Sequence, residues 1–140
     1  MREILFKAKR KDNSEWVEGY YQKRFDLDGS EQHFIFWSKS YTVWEYVEID
    51  SDTLCQYTGL TDKNGKKIWE NDIISINAYS YYEPEDDYFG IVTYCEKDAC
   101  WALKNNERFD EIICECFGSY TTEIVNHGNI FDNAELLEVE

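Results

Sequence analysis

The chain has 140 residues and a formal net charge of −15, with 11 Tyr, 8 Phe and 5 Trp. That length fits one domain, or two small lobes over about 1–60 and 61–140 sharing a core, and it buries most of its apolar surface without covalent staples. The charge argues against a protein that coats DNA, since phosphates repel it at long range. The surplus of strand-favouring aromatics over leucine-rich stretches argues against a helical bundle.

The charge is uneven. Residues 1–24 hold seven Lys/Arg against four Asp/Glu, or +3, and residues 25–140 hold seven against 25, or −18. The five cysteines, Cys55, Cys95, Cys100, Cys114 and Cys116, are odd in number and form no Cys-x-x-Cys pair, which fits reduced thiols in a cytoplasm. No apolar run approaches the roughly 20 residues that cross a bilayer. Met1-Arg2-Glu3 leads into an alternating strand, not a signal-peptide core.

Ile4, Phe6 and Ala8 alternate with Leu5, Lys7 and Lys9, the period-2 pattern of a half-buried strand. Lys11-Asp12-Asn13-Ser14 turns it back into a second strand from Trp16 to about Phe25, so the chain opens on a hairpin. Asp26-Leu27-Asp28-Gly29-Ser30 is another turn. His33–Trp37 and Tyr41–Ile49 are the next strands, joined by Ser38-Lys39-Ser40. Asn64-Gly65 sits between the apolar residues Tyr57, Ile68 and Trp69, tolerates positive φ at both central turn positions, and predicts a tight reversal. Glu70-Asn71-Asp72 makes a second turn, after which Ile73, Ile74 and Ile76 restart a strand. Residues 78–87, with the only proline, read as an exposed loop. Strands follow at Tyr88–Tyr94, Cys100–Leu103, Ile112–Phe117 and Thr121–Asn126. Asn133 is placed to cap a short helix through Leu137. Short strands with closely spaced reversals predict a mainly β fold of twisted antiparallel strands, barrel-like, with a short C-terminal helix.

The stretch Gln56-Tyr57-Thr58-Gly59-Leu60-Thr61-Asp62-Lys63-Asn64-Gly65-Lys66-Lys67-Ile68, followed by a turn and Asp72-Ile73-Ile74, resembles the central signature of the YopX family of phage and prophage proteins. Further blocks agree in order: Arg2-Glu3-Ile4-Leu5-Phe6-Lys7-Ala8, Trp16-Val17-Glu18-Gly19-Tyr20, and Glu123-Ile124-Val125 through Gly128-Asn129-Ile130-Phe131-Asp132-Asn133-Ala134-Glu135-Leu136-Leu137. Asn71 stands where the pattern has glycine, and Ala134 where it has proline. Asn enters the same backbone region more readily than most residues, and Ala at a helix start costs little. The resemblance implies a phage or prophage origin and carries no biochemical activity with it.

Several groupings bear on chemistry. Gly59 to Lys67 departs from a phosphate-binding loop in spacing and in having Lys67 where Ser or Thr binds magnesium, and that loop also needs a following helix; a hairpin turn is the simpler reading. Tyr79, Tyr81 and Tyr82 beside Glu83, Glu85, Asp86 and Asp87 form the candidate partner contact, because tyrosine is enriched at interfaces and the acids suit a basic partner. They lack the ligand alternation of a calcium loop. Cys114 and Cys116 share one side of a strand, and His33 or His127 would have to join them to hold zinc, without the close pairs in turns that such sites use. Buried small hydrophobes are the simpler role for the thiols. A Cys–His nucleophilic pair has no sequence signature here; His33 reads as a structural residue and His127 as a turn residue. Trp16, Tyr20, Trp37, Trp44, Tyr46 and Trp69 would suit a base-stacking platform, yet packing into the core accounts for them more simply, with a protein interface as the next reading.

The expectation is therefore a non-enzymatic, cytoplasmic accessory protein with no cofactor or metal, which binds another protein or self-assembles. Two alternatives differ in class. An acidic DNA mimic would array its carboxylates on one face to block a host enzyme. A nucleic-acid binder would use the basic N-terminal hairpin, Arg2, Lys7, Lys9, Arg10 and Lys11, with the lysines of the central turn.

Overall fold

The computed structural model describes residues 3–79, 86–97, 99–104, 112–113 and 121–137. It divides into two units, Met1–Tyr57 and Thr58–Glu140.

In the first unit β1 (Phe6–Lys9) and β2 (Trp16–Phe25) form the opening hairpin, with Phe6 opposite Gly19 and Lys9 opposite Trp16. β3 (Glu31–Ser38) pairs with β2 and β4 (Trp44–Glu48) pairs with β3, all antiparallel. On the other side of β1 lies the start of β5 (Cys55–Thr61), giving the order β4-β3-β2-β1-β5. One face of this sheet carries the core: Ala8, Ile35 and Ile49 are buried, and Phe6, Val17, Tyr21, Trp37, Val47 and Leu54 pack on them. These positions alternate along their strands, so the period-2 pattern sorts residues between faces as expected.

The second unit begins within β5, whose neighbour there is β6 (Lys67–Trp69). β7 (Asp72–Tyr79), β8 (Asp86–Cys95), β9 (Cys100–Lys104), β10 (Ile112–Ile113) and β11 (Thr121–Asn129) form an antiparallel sheet in the order β10-β9-β8-β7-β11. Its core is aliphatic: Ile68, Ile74, Ile76, Val92 and Leu103 are almost wholly buried, with Trp101 and Ile124 against them. Each such side chain contributes about 1.5–3 kcal/mol of gross hydrophobic stabilisation.

Three expectations change. Among the described residues the sheets stay open and close no barrel, with one isolated bridge, Arg10 to Ile49, linking the end of β1 to the chain after β4. The Asn64-Gly65 reversal is wider than two residues. Only Gly65 has positive φ, at 83°, because the Asp62 carboxylate gathers the Asn64 and Lys66 N–H groups at 2.9 Å each and spreads the turn. The C-terminal segment is one 3-10 turn, Ala134–Leu137, not an α-helix. The cause is local, since the Asn133 side chain turns back to accept from the Asn129 N–H at 3.1 Å and so leaves the following turn uncapped. Among the described residues no helix is long and apolar enough to cross a membrane.

Candidate functional site

The signature stretch folds into a polar lock in the second unit. Asp62 is buried at the base of the β5–β6 turn, and its second carboxylate oxygen accepts from the Asn126 N–H on β11 at 3.2 Å. Burial acts to raise the Asp62 pKa, but the N–H groups of Lys66, Asn126 and Asn64 and the nearby Lys66 charge outweigh it and hold the carboxyl below the usual range. Asp72, 2% exposed, accepts from the Trp69 N–H at 2.8 Å and from the Asn126 amide at 2.7 Å. The Asn126 amide also donates to the Lys67 carbonyl. Asn71 between them sits at φ 71°, the left-handed conformation that its amide side chain tolerates. These carboxylates are buried and accept from donors of their own chain, and the bonds they make are those of turn-building.

Both histidines and Cys55 have partners within the chain. The Tyr21 hydroxyl and His33 Nδ1 lie 2.6 Å apart, with the two rings stacked. His127 lies within β11, not in a turn, and its Nε2 is 2.8 Å from the Ser75 hydroxyl. Cys55 is buried with its thiol donating to the Thr53 carbonyl, Cys95 is buried, and Cys100 is half-buried. Cys114 and Cys116 lie outside the described residues. Among the described residues no group of three or more His, Cys, Asp or Glu is arranged around a metal-sized point. Gly59 to Lys67 is followed by strand β6 and not by a helix, so it has no helix N-terminus with which to hold a phosphate.

Of the candidate contact, Tyr79 ends β7 opposite Thr121, while Asp86 and Asp87 begin β8 opposite Ala78 and Asn77. The predicted loop is therefore narrower than 78–87. Tyr81, Tyr82, Glu83 and Glu85 lie outside the described residues.

The six aromatics expected in the core divide instead. Trp69 is buried in the second unit and Trp37 packs on the core of the first. Trp16, Tyr20, Trp44 and Tyr46 lie on the opposite face of the first unit's sheet, turned away from that core. Register shows this directly: Tyr20 opposes Phe36, which opposes Tyr46, and Ser38 opposes Trp44. Residues opposed across antiparallel strands share a face. Tyr20, Trp44 and Tyr46 are 56%, 53% and 57% exposed. Their rings are ordered by mutual contact, Phe36 on Tyr46 with centroids 5.1 Å apart and Tyr20 against Trp44 at 5.8 Å. Arg24 lies over them, its guanidinium carbon 5.1, 5.5 and 5.8 Å from the ring centres of Phe34, Phe36 and Tyr46. At the other end the Lys7 and Lys9 ammonium groups lie over the Trp16 ring, at 4.5 and 5.4 Å. Such contacts fix side chains at modest energy, about 0.5–1 kcal/mol each when exposed. A sequence reading misses this face because β3 is apolar on both sides, so alternation alone does not say which side is covered. The available signal was Gln22 and Arg24 sharing the side of Tyr20.

The family model described as "YopX protein" matches residues 5–138. The chain belongs to the YopX family. Among solved structures, this YopX chain is similar to protein EF1440 from Enterococcus faecalis, with 27% identity, a TM-score of 0.53, and coverage of 98% of this chain and 99% of that one. Among proteins with curated descriptions, none matches. The YopX signature read from the sequence coincides with the Asp62–Asp72–Asn126 lock, and so accounts for a shape.

Proposed function

We propose that this YopX protein is a non-catalytic accessory protein of a phage or prophage, working in the cytoplasm of the bacterial host by binding another protein. The observation that carries this reading is the outward aromatic face of the N-terminal sheet, where Tyr20, Trp44 and Tyr46 each stay more than half exposed beside Arg24. Tyr, Trp and Arg are the side chains that dominate protein-binding hot spots. A face that orders three rings without covering them is held ready for a partner.

A second reading, single-stranded nucleic acid, draws on Lys7 and Lys9 over Trp16 along the same face. Against it, Arg10 and Lys11 of the same hairpin are paired with Asp12 and Glu48. Against the acidic-mimic reading, Asp12, Glu31, Glu45 and Glu48 have cationic partners, and Asp62 and Asp72 are buried.

The test is affinity capture from infected host cells with the native protein and with a Trp44→Ser/Tyr46→Ser double variant, the fold of each checked by circular dichroism. A partner retained by the first and lost by the second is the expected result. Identical capture profiles refute the assignment of the face, and a mobility shift of single-stranded DNA that weakens steeply with salt would favour the second reading.

A further inference from the structure

We infer that the open edge of β4 is a docking strand, which takes an extended segment of the protein partner with a lysine or arginine between two apolar residues. This deepens the proposed protein-binding role of the same face and rests on it.

The geometry begins with which backbone groups of β4 are in use. The Ile49 N–H donates to the His33 carbonyl and the Lys39 N–H to the Val43 carbonyl, so in the β3–β4 ladder the hydrogen-bonded residues are the odd-numbered ones, among them Glu45 and Val47. The N–H and C=O groups of Trp44, Tyr46 and Glu48 therefore point away from β3. The Glu48 carbonyl is already covered, accepting from the Lys11 N–H at 3.1 Å where β1 runs on past its end. Among the described residues Trp44 and Tyr46 are left with both N–H and both C=O groups facing outward on an edge strand. Such an edge is a template for another strand.

A second copy is the first occupant to consider, and register disfavours it. Two β4 strands paired antiparallel through these groups set Trp44 against Tyr46 of the other copy, which places Glu45 directly opposite Glu45 of that copy. Like charges in that position repel. Sliding the pairing one way requires the Glu48 carbonyl that Lys11 holds; sliding it the other way requires Thr42, in the turn that Ser40 and Val43 close. The same glutamate selects a foreign segment. Glu45 lines a pocket of about 380 Å³ along this edge, together with Trp37, Val47, Trp44, Tyr46 and Arg10, which Asp12 holds. A lysine or arginine opposite Glu45 lays its stem on Trp37 and Val47 and brings its cation to the carboxylate. It displaces only Lys39, whose 3.1 Å pair with Glu45 is solvent-exposed and so weakly held. The residues on either side then fall on the aromatic face, against Trp44 and Tyr46.

The experiment uses the full chain and short fluorescein-labelled synthetic peptides with a Val-Lys-Val centre, read by anisotropy. Saturable binding is expected, weakened about tenfold or more when Glu replaces the central Lys. In Glu45→Lys the preference is expected to reverse, which a change in folding alone does not produce. N-methylation of the peptide at the amides facing Trp44 and Tyr46 is expected to abolish binding, and hydrogen exchange at the Trp44 and Tyr46 amides to slow in the complex. Absent binding, binding indifferent to N-methylation, or no charge reversal in Glu45→Lys overturns the proposal. If those results coincide with partner capture that still depends on Trp44 and Tyr46, the edge assignment falls while the face assignment stands.

Discussion

Replacing Asp62 with alanine tests whether the YopX signature is structural. The substitution removes a carboxylate that accepts from three backbone N–H groups: Asn64 and Lys66 at 2.9 Å and Asn126 at 3.2 Å. Two of the donors lie in an exposed turn and regain water, so each loses about 0.5–1 kcal/mol; the Asn126 N–H is part-buried, and leaving it unmet costs about 1–3 kcal/mol. The expected loss is about 2–5 kcal/mol in the stability of the second unit, since β11 and the β5–β6 turn both depend on this side chain. Urea unfolding followed by tryptophan fluorescence measures it, with Trp69 and Trp101 reporting on that unit and Trp16, Trp37 and Trp44 on the other. A change below about 0.5 kcal/mol would show that the turn holds its shape without Asp62, and the structural account of the signature would fail.

Acid sensitivity follows from the same residue: its folded pKa lies below the ordinary value, so its contribution is fully present above the ordinary carboxylate range and is lost as pH falls through the lowered pKa. Asp62→Asn should flatten that acid limb of the stability curve, as urea midpoints across pH will show. Asn71 holds φ 71°; Asn71→Ala should cost about 1–2 kcal/mol and Asn71→Gly almost nothing, by thermal unfolding. Gly128 has φ 142°, and a Cβ there would sit 2.2 Å from the Asn133 Oδ1, so Gly128→Ala should displace Asn133 and cost about 2 kcal/mol or more. Ile35→Ala, in the almost fully buried core of the first unit, should cost about 2–5 kcal/mol and lower that unit's transition alone if the two units unfold separately.

Much of the fold could be read from the chain because its signals are local. The β2 limits Trp16–Phe25 follow from alternation between two turns, and positive φ at Asn71 fits its standing where the family pattern has glycine. What was not legible depends on residues distant in sequence. The shape of the Asn64-Gly65 turn is set by Asp62, and Asp62 is fixed by Asn126, 64 residues away. The end of the chain resembles a helix start, but the Asn133 amide is drawn to the Asn129 N–H instead. Of the candidate contact, only Tyr79, Asp86 and Asp87 fall within described strands, and there the backbone shows their register. The aromatic face escaped notice for a reason of arithmetic: a sheet has two sides, and a strand apolar on both does not say which of them meets the core.

That two-sidedness separates the central part of the family signature from the proposed binding surface. The signature residues Thr58, Asp62 and Asp72 are buried, and each is hydrogen-bonded to its own chain. Buried residues so engaged by their own chain are little exposed to a ligand, and substituting them is felt as lost stability. Tyr20, Trp44 and Tyr46 lie outside the central signature in sequence and retain exposed ring surface with an open backbone edge beside two of them. Their substitution should leave the fold nearly intact, because contacts among exposed rings contribute little to it. Stability and binding in this YopX chain should therefore respond to different residues: variants at Asp62 or Asp72 should lower the unfolding midpoint, whereas variants at Trp44 or Tyr46 should preserve it and lose the partner. A Tyr46 variant as unstable as an Asp62 variant would place the rings in the structural class and remove the basis for assigning them a partner.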